Sequence, residues 1–115
     1  MVTADAKYIP GRGDLVWLQF SPQSGHEQAG FRPALVLSPQ SYNGKVGLVL
    51  VCPVTSKAKG YPFEVLLPDG LEVSGVVLAD QVKSLDWQAR NAKYIFTVPM
   101  RITTEVLGKI QLLIS

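Results

Sequence analysis

Gly47-Leu48-Val49-Leu50-Val51-Cys52 has no polar position on either face. A short apolar run rich in branched side chains, bounded by a glycine and by Pro53, reads as a strand buried on both sides and therefore central in a sheet. Working outward toward the N-terminus, Pro33-Ala34-Leu35-Val36-Leu37 reads as the strand before it and Leu15-Val16-Trp17-Leu18-Gln19-Phe20 as the first. Ser21 to Arg32 is a long loop between those two, and Ser38 to Lys45 is a turn region punctuated by Asn43-Gly44. Toward the C-terminus, Pro53 to Pro62 is a second polar loop. Phe63-Glu64-Val65-Leu66-Leu67 follows as a strand with an outward Glu64, and Pro68-Asp69-Gly70 turns the chain. Gly75 to Ala79 is a further strand that continues through Asp80 and Gln81 into Val82-Lys83-Ser84-Leu85, and Tyr94 to Val98 adds a short final one. The last segment changes period. Val106, Leu107, Ile110, Leu113 and Ile114 fall on one helical face, with Thr103 as its expected N-cap, Glu105 near the positive end and Gly108 as a mild weakness. Short strands with Gly/Pro turns and one closing helix predict a mainly β chain with helices: a small, partly open β-barrel with the C-terminal helix packed across it.

At 115 residues and 47% apolar, the chain fits a single domain spanning 1–115 with one sizeable core, not a disordered segment. A net charge of +2 gives a weak overall field, so a nucleic-acid partner requires a local basic patch. Cys52 is the one cysteine and His26 the one histidine, which excludes an internal disulfide and a cysteine zinc site and leaves little for a histidine-based one. Cys52 reads as a small buried hydrophobe. Met1 to Pro10 lacks an apolar signal core, and Val46 to Val54 is too short to cross a bilayer, so the expected location is the cytoplasm.

Chemistry is expected in the first loop. Gly25-His26-Glu27-Gln28-Ala29-Gly30-Phe31-Arg32-Pro33 sets a carboxylate and a guanidinium five residues apart between rigid strands. Glu27 is a proton acceptor and Arg32 a two-pronged phosphate ligand. On these residues alone, an exposed ion pair flanking a turn is the commoner reading.

The string Gly13-Asp14-Leu15-Val16, Gly25 to Ala34, Leu37-Ser38-Pro39, Tyr42-Asn43, Pro53-Val54-Thr55-Ser56, Lys59-Gly60-Tyr61-Pro62-Phe63 and Leu78-Ala79-Asp80-Gln81-Val82-Lys83-Ser84-Leu85 resembles, in order, the MazF/PemK toxin family. The likeness runs from about Gly13 to Arg90 and is weakest beyond it. It implies an SH3-like barrel, a homodimer and a ribonuclease toxin of a bacterial toxin–antitoxin pair. Such an enzyme cuts single-stranded RNA at short sequences without a metal or other cofactor. It leaves 2′,3′-cyclic phosphate and 5′-hydroxyl ends. The cellular target is messenger RNA foremost, with ribosomal or transfer RNA as further options. A MazE-like antitoxin would block the RNA groove with an acidic flexible tail.

Residue by residue, the resemblance places the family's catalytic glutamate at Glu27, its arginine at Arg32 and its threonine at Thr55. Glu27 is then the general base for the ribose 2′-hydroxyl, Arg32 stabilises the transition-state phosphate, and Thr55 holds a phosphate oxygen or positions the nucleophile. The other reading of Thr55 is a turn residue bonding its own backbone. His26 stands where the family often has a small polar residue, and either lines the groove, stacks on a base or assists proton transfer. Lys57, Lys59, Lys83 and Arg90 are the expected basic patch, with Ser56 beside them, and Phe20, Gln28 and Asn43 the expected base contacts. Phe20 reads equally as core. Trp17, Trp87 and the C-terminal leucines and isoleucines are assigned to core or dimer interface. Two other functions fit the same barrel. One is a gyrase poison resembling CcdB, against which the C-terminal Gln111-Leu112-Leu113-Ile114-Ser115 argues because it lacks a tryptophan. The other is an SH3-like binding module, which has no use for Glu27, Arg32 and Thr55 together.

Overall fold

The computed structural model describes residues 8–20 and 31–115. Its strands are β1 (Asp14–Gln19), β2 (Phe31–Val36), β3 (Leu48–Thr55), β4 (Glu64–Leu66), β5 (Val76–Leu78), β6 (Lys83–Asp86) and β7 (Lys93–Thr97), and its helices are α1 (Gln40–Val46) and α2 (Met100–Ile114). The sheet is antiparallel in every pair, ordered β4-β5-β3-β2-β1-β7 with β6 also on β3. β4 and β7 lie at the two ends of that order and do not pair, so among the described residues the barrel is open.

β3 is central, as its apolar sequence requires. It pairs with β2 through Val36↔Val51, Leu35↔Cys52 and Ala34↔Pro53, and with β6 from Leu48↔Asp86 to Val51↔Lys83. The bridging pairs with β2 end at Ala34↔Pro53, because the neighbouring residue of β2 is Pro33, which has no N–H to extend the ladder. Beyond that point β3 pairs instead with β5, Val54↔Val77 and Thr55↔Val76. The expected continuous strand from Gly75 to Leu85 is two strands. A single 3-10 turn of three residues, Ala79–Gln81, lies between β5 and β6 and bends the sheet around.

Alternation along the strands builds two cores. Leu15, Leu35, Cys52, Val54, Val77 and Ala79 face Ile102 and Val106 of α2, while Val16, Leu18, Ala34, Val36, Val49 and Val51 pack with Trp87 on the other side. Full burial of an Ile102 or Val106 side chain stabilises by about 1.5–3 kcal/mol each. β3 is not buried throughout: Leu48 and Leu50 are partly exposed near its start. Trp87 is core, whereas Trp17 is 38% exposed and is not.

Two helix expectations need correcting. The Ser38–Lys45 turn region is largely α1, a helix of seven residues closed by Gly47 in the left-handed conformation at φ 84°. Its centre is pinned by tertiary hydrogen bonds to Asn43, which no local propensity encodes. α2 starts at Met100 after Pro99, which makes no side-chain cap. Thr103 is therefore inside the helix and buried, and Glu105 lies beyond the first turn. Val106 and Ile110 face the core as expected, but Leu107 between them points outward, and Leu112, Leu113 and Ile114 are exposed at the end of α2. No helix among the described residues is long and apolar enough to cross a membrane.

Candidate nucleic-acid interface

Where β2 and β3 stop pairing, a cleft of about 510 Å³ opens. Carrying the β2–β3 register two residues past Ala34↔Pro53 brings Arg32 level with Thr55, and both side chains line the cleft. Pro33 explains the opening. It adjoins the last bridging residue of β2 at a position whose nitrogen faces β3, so it donates no hydrogen bond that would draw the strands together.

The cleft is basic. Arg32, Lys57, Lys59, Lys83 and Arg90 line it, and among the described residues Glu64 is the sole carboxylate that does. Such a surface concentrates a polyanion through field alone. Arg90 is tethered to the end of β1: its guanidinium donates to the Gln19 carbonyl at 3.3 Å, and the Gln19 N–H donates to the Arg90 carbonyl at 3.0 Å. Phe20 sits at the border of core and cleft. It packs against the second core and also lines the cleft, with the Lys83 ammonium 5.4 Å from its ring centre.

Thr55 is half-buried at the end of β3, and its hydroxyl oxygen accepts the Lys57 N–H at 3.1 Å. The turn reading of Thr55 is thus present in the structure. It does not exclude the chemical one, because the hydroxyl retains its own O–H for a phosphate oxygen. Gly75, at φ 127°, lies against this residue: a Cβ there would stand 2.2 Å from the Thr55 carbonyl oxygen. Only glycine fits that position.

The expectation for Asn43 is overturned. It is fully buried and does not line the cleft. Its amide donates to the Pro10 carbonyl at 2.7 Å and the Ser38 carbonyl at 3.0 Å, and its side-chain oxygen accepts the Ser38 hydroxyl at 2.6 Å. Its backbone carbonyl accepts the Trp87 indole N–H at 2.8 Å. Every polar atom of its side chain is satisfied, so none is left for a base. Ser56 is exposed next to the cleft but does not line it. His26, Glu27 and Gln28 lie outside the described residues. Cys52 is fully buried, and burial, aided by the charge of Asp80, pushes its thiol up to about 12, so it is inert at neutral pH. Among the described residues no three His, Cys, Asp or Glu side chains gather to hold a metal ion.

Tyr61 and Glu64 are cleft residues that the sequence reading passed over. Tyr61 is 42% exposed, and an exposed aromatic in a lysine-containing loop is a stacking surface. The signal lies in Lys59-Gly60-Tyr61, which sets an aromatic two residues from a lysine.

A family model described as "PemK-like, MazF-like toxin of type II toxin-antitoxin system" matches residues 11–114. The chain is 51% identical over 110 residues to the endoribonuclease toxin MazF of Escherichia coli K12, covering 96% of this chain and 98% of that protein. It is 37% identical over 108 residues to the E. coli endoribonuclease PemK, covering 90% and 81%. Among solved structures, MazE–MazF (Form-II) from Deinococcus radiodurans superposes with a TM-score of 0.88 at 58% identity, over 95% of this chain and all (100%) of that one.

Proposed function

The chain belongs to the PemK-like, MazF-like toxin family and is an endoribonuclease, and from that premise we propose how its residues cut RNA. The substrate is single-stranded RNA laid along the basic cleft, and the reaction needs no metal. The ribose 2′-hydroxyl supplies the nucleophile. Glu27 removes its proton as the new O2′–P bond forms. Arg32 neutralises the charge that builds on the non-bridging oxygens, and the Thr55 O–H donates to one of them. The P–O5′ bond breaks, and the leaving oxygen takes a proton from Arg32 or from a water that Arg32 orients. The products are a 2′,3′-cyclic phosphate and a 5′-hydroxyl. Arginine's very high pKa favours the water route.

The observation that carries this reading is the placement of Arg32 and Thr55 on adjacent strands in one basic cleft. Phe20 and Tyr61 offer stacking surfaces for splayed bases, and His26 and Gln28 are proposed as further RNA contacts on the family resemblance. The toxin works in the cytoplasm as a two-fold homodimer, to which the exposed Leu112, Leu113 and Ile114 contribute. A cognate antitoxin blocks the groove with an acidic segment, as expected for a cleft of this charge. The test is a chain-matched pair of RNAs, one with a 2′-deoxy ribose 5′ to the cut, incubated with EDTA. Cleavage of the ribose substrate alone supports the proposal. Full cleavage of the deoxy substrate overturns it.

A further inference from the structure

Thr55 and β4 are joined by a stretch that carries Lys57, Lys59 and Tyr61 into the cleft without a strand ladder to hold it. Its shape is set instead by a carboxylate. Glu64 accepts the Lys59 N–H through Oε2 at 2.9 Å and the Gly60 N–H through Oε1 at 2.9 Å. Two successive amides converge on one anion because Gly60 takes φ 84°, a conformation that side chains rarely adopt. Glu64 is itself fixed: it pairs with Leu78 across β4 and β5, and its N–H donates to the Tyr61 carbonyl at 3.1 Å. From the other side, the Lys109 ammonium of α2 donates to the Pro62 carbonyl at 2.6 Å.

A negative charge in a cleft for phosphate opposes its own field. Each of its oxygens accepts a backbone N–H of its own chain, so its carboxylate is engaged in shaping that stretch. We propose that Glu64 is a positioning residue: it folds the Lys57–Tyr61 stretch into the wall that grips RNA, and its ordering of that wall outweighs its repulsion of phosphate. The proposal rests on the reading that this cleft holds RNA.

The two roles predict opposite signs, which makes the test sharp. Electrostatics alone says that Glu64→Ala tightens RNA binding. Positioning says that it weakens it. Binding of uncleavable 2′-deoxy single strands is measured across a salt series for wild type, Glu64→Ala, Glu64→Gln, Gly60→Ala and Lys59→Ala, alongside kcat and KM on cleavable RNA and thermal melting. Glu64→Ala should raise KM roughly tenfold through loss of two charge-assisted hydrogen bonds. Its kcat should stay within about twofold of wild type, because uniform binding is what is lost. The slope of log affinity against log salt should fall by roughly 0.7 for each lysine withdrawn from the strand. Glu64→Gln, which keeps one acceptor oxygen, should lie between, and Gly60→Ala should move in the same direction. Tighter binding by Glu64→Ala, an unchanged salt slope, a fall in kcat at constant KM, or a collapse of the melting transition each overturns the assignment. Lys59→Ala separates the layers. If it leaves RNA affinity unchanged, the RNA reading of this wall fails. If it weakens binding while Glu64→Ala does not, only the positioning role fails.

Discussion

Polar residues stand at the C-terminal end of β3 and in the helix before its N-terminal end for opposite reasons. At its C-terminal end, Thr55 has one hydrogen bond to its own turn and faces a cleft with Arg32 and four other basic side chains. Near its N-terminal end, α1 buries Asn43 completely and satisfies its whole side chain with Pro10 and Ser38. In the sequence both look alike, as polar residues within motifs. The difference is unused hydrogen-bonding capacity. A buried group with every partner in place holds the fold, and a group that faces solvent with capacity to spare is available to a ligand.

That contrast is broken most directly by exchanging readouts. Arg32→Ala should lower kcat by roughly a hundred- to a thousandfold, the loss expected for one transition-state charge contact, without changing the melting temperature. Asn43→Ala should do the reverse. It strands the Ser38 hydroxyl and two buried carbonyls, which costs about 2–3 kcal/mol of stability, while kcat of the folded fraction stays at the wild-type value. Urea unfolding monitored through Trp87 and single-turnover cleavage measure the two quantities on the same samples. A stable, inactive Asn43→Ala protein would erase the distinction.

How far the sequence exposed these two ends follows from the same physics. β1 to β3 were legible because alternation and branched side chains act locally, and the predicted strand centres hold even where ends move by one to three residues. α1 was not. Gln40 to Val46 contains Asn43-Gly44 and no apolar stripe, and it is helical because Asn43 is anchored from outside. The start of α2 was missed because Pro99 marks it without a side-chain cap. At the cleft, Arg32, Thr55, Lys57, Lys59, Lys83 and Arg90 were all named from the chain, but their meeting depends on a register between strands, which the sequence does not spell out. Gly75 was read only as a strand end. Its role is to let the Thr55 carbonyl approach, with a would-be Cβ 2.2 Å away. Gly75→Ala therefore tests whether the two ends are separable at all. It should cost about 1–3 kcal/mol by overpacking and also reduce kcat, since the displaced residue is Thr55 itself. Loss of stability at wild-type kcat would show that the exact seat of Thr55 does not matter.

The smallest effect comes from a contrast across the sheet, between two cation–aromatic pairs of nearly equal geometry. Lys83 stands 5.4 Å from the Phe20 ring centre and Lys93 stands 5.5 Å from that of Phe31. Each pair contributes about 0.5–1 kcal/mol as an exposed contact, so stability cannot tell them apart. Their places can. Phe20 and Lys83 line the cleft, whereas Phe31 alternates with Arg32 along β2 and neither it nor Lys93 lines the cleft. Lys83→Ala should weaken RNA binding severalfold and lower the salt slope by roughly 0.7, the signature of one phosphate contact on a single strand. Lys93→Ala should leave both unchanged and shift only the melting temperature, by the same small amount as Lys83→Ala. Fluorescence anisotropy with a labelled 2′-deoxy strand at several salt concentrations resolves the difference. Equal losses of slope in the two variants would mean that RNA reaches the opposite face of β2, and the interface would have to be redrawn around the edge of the barrel.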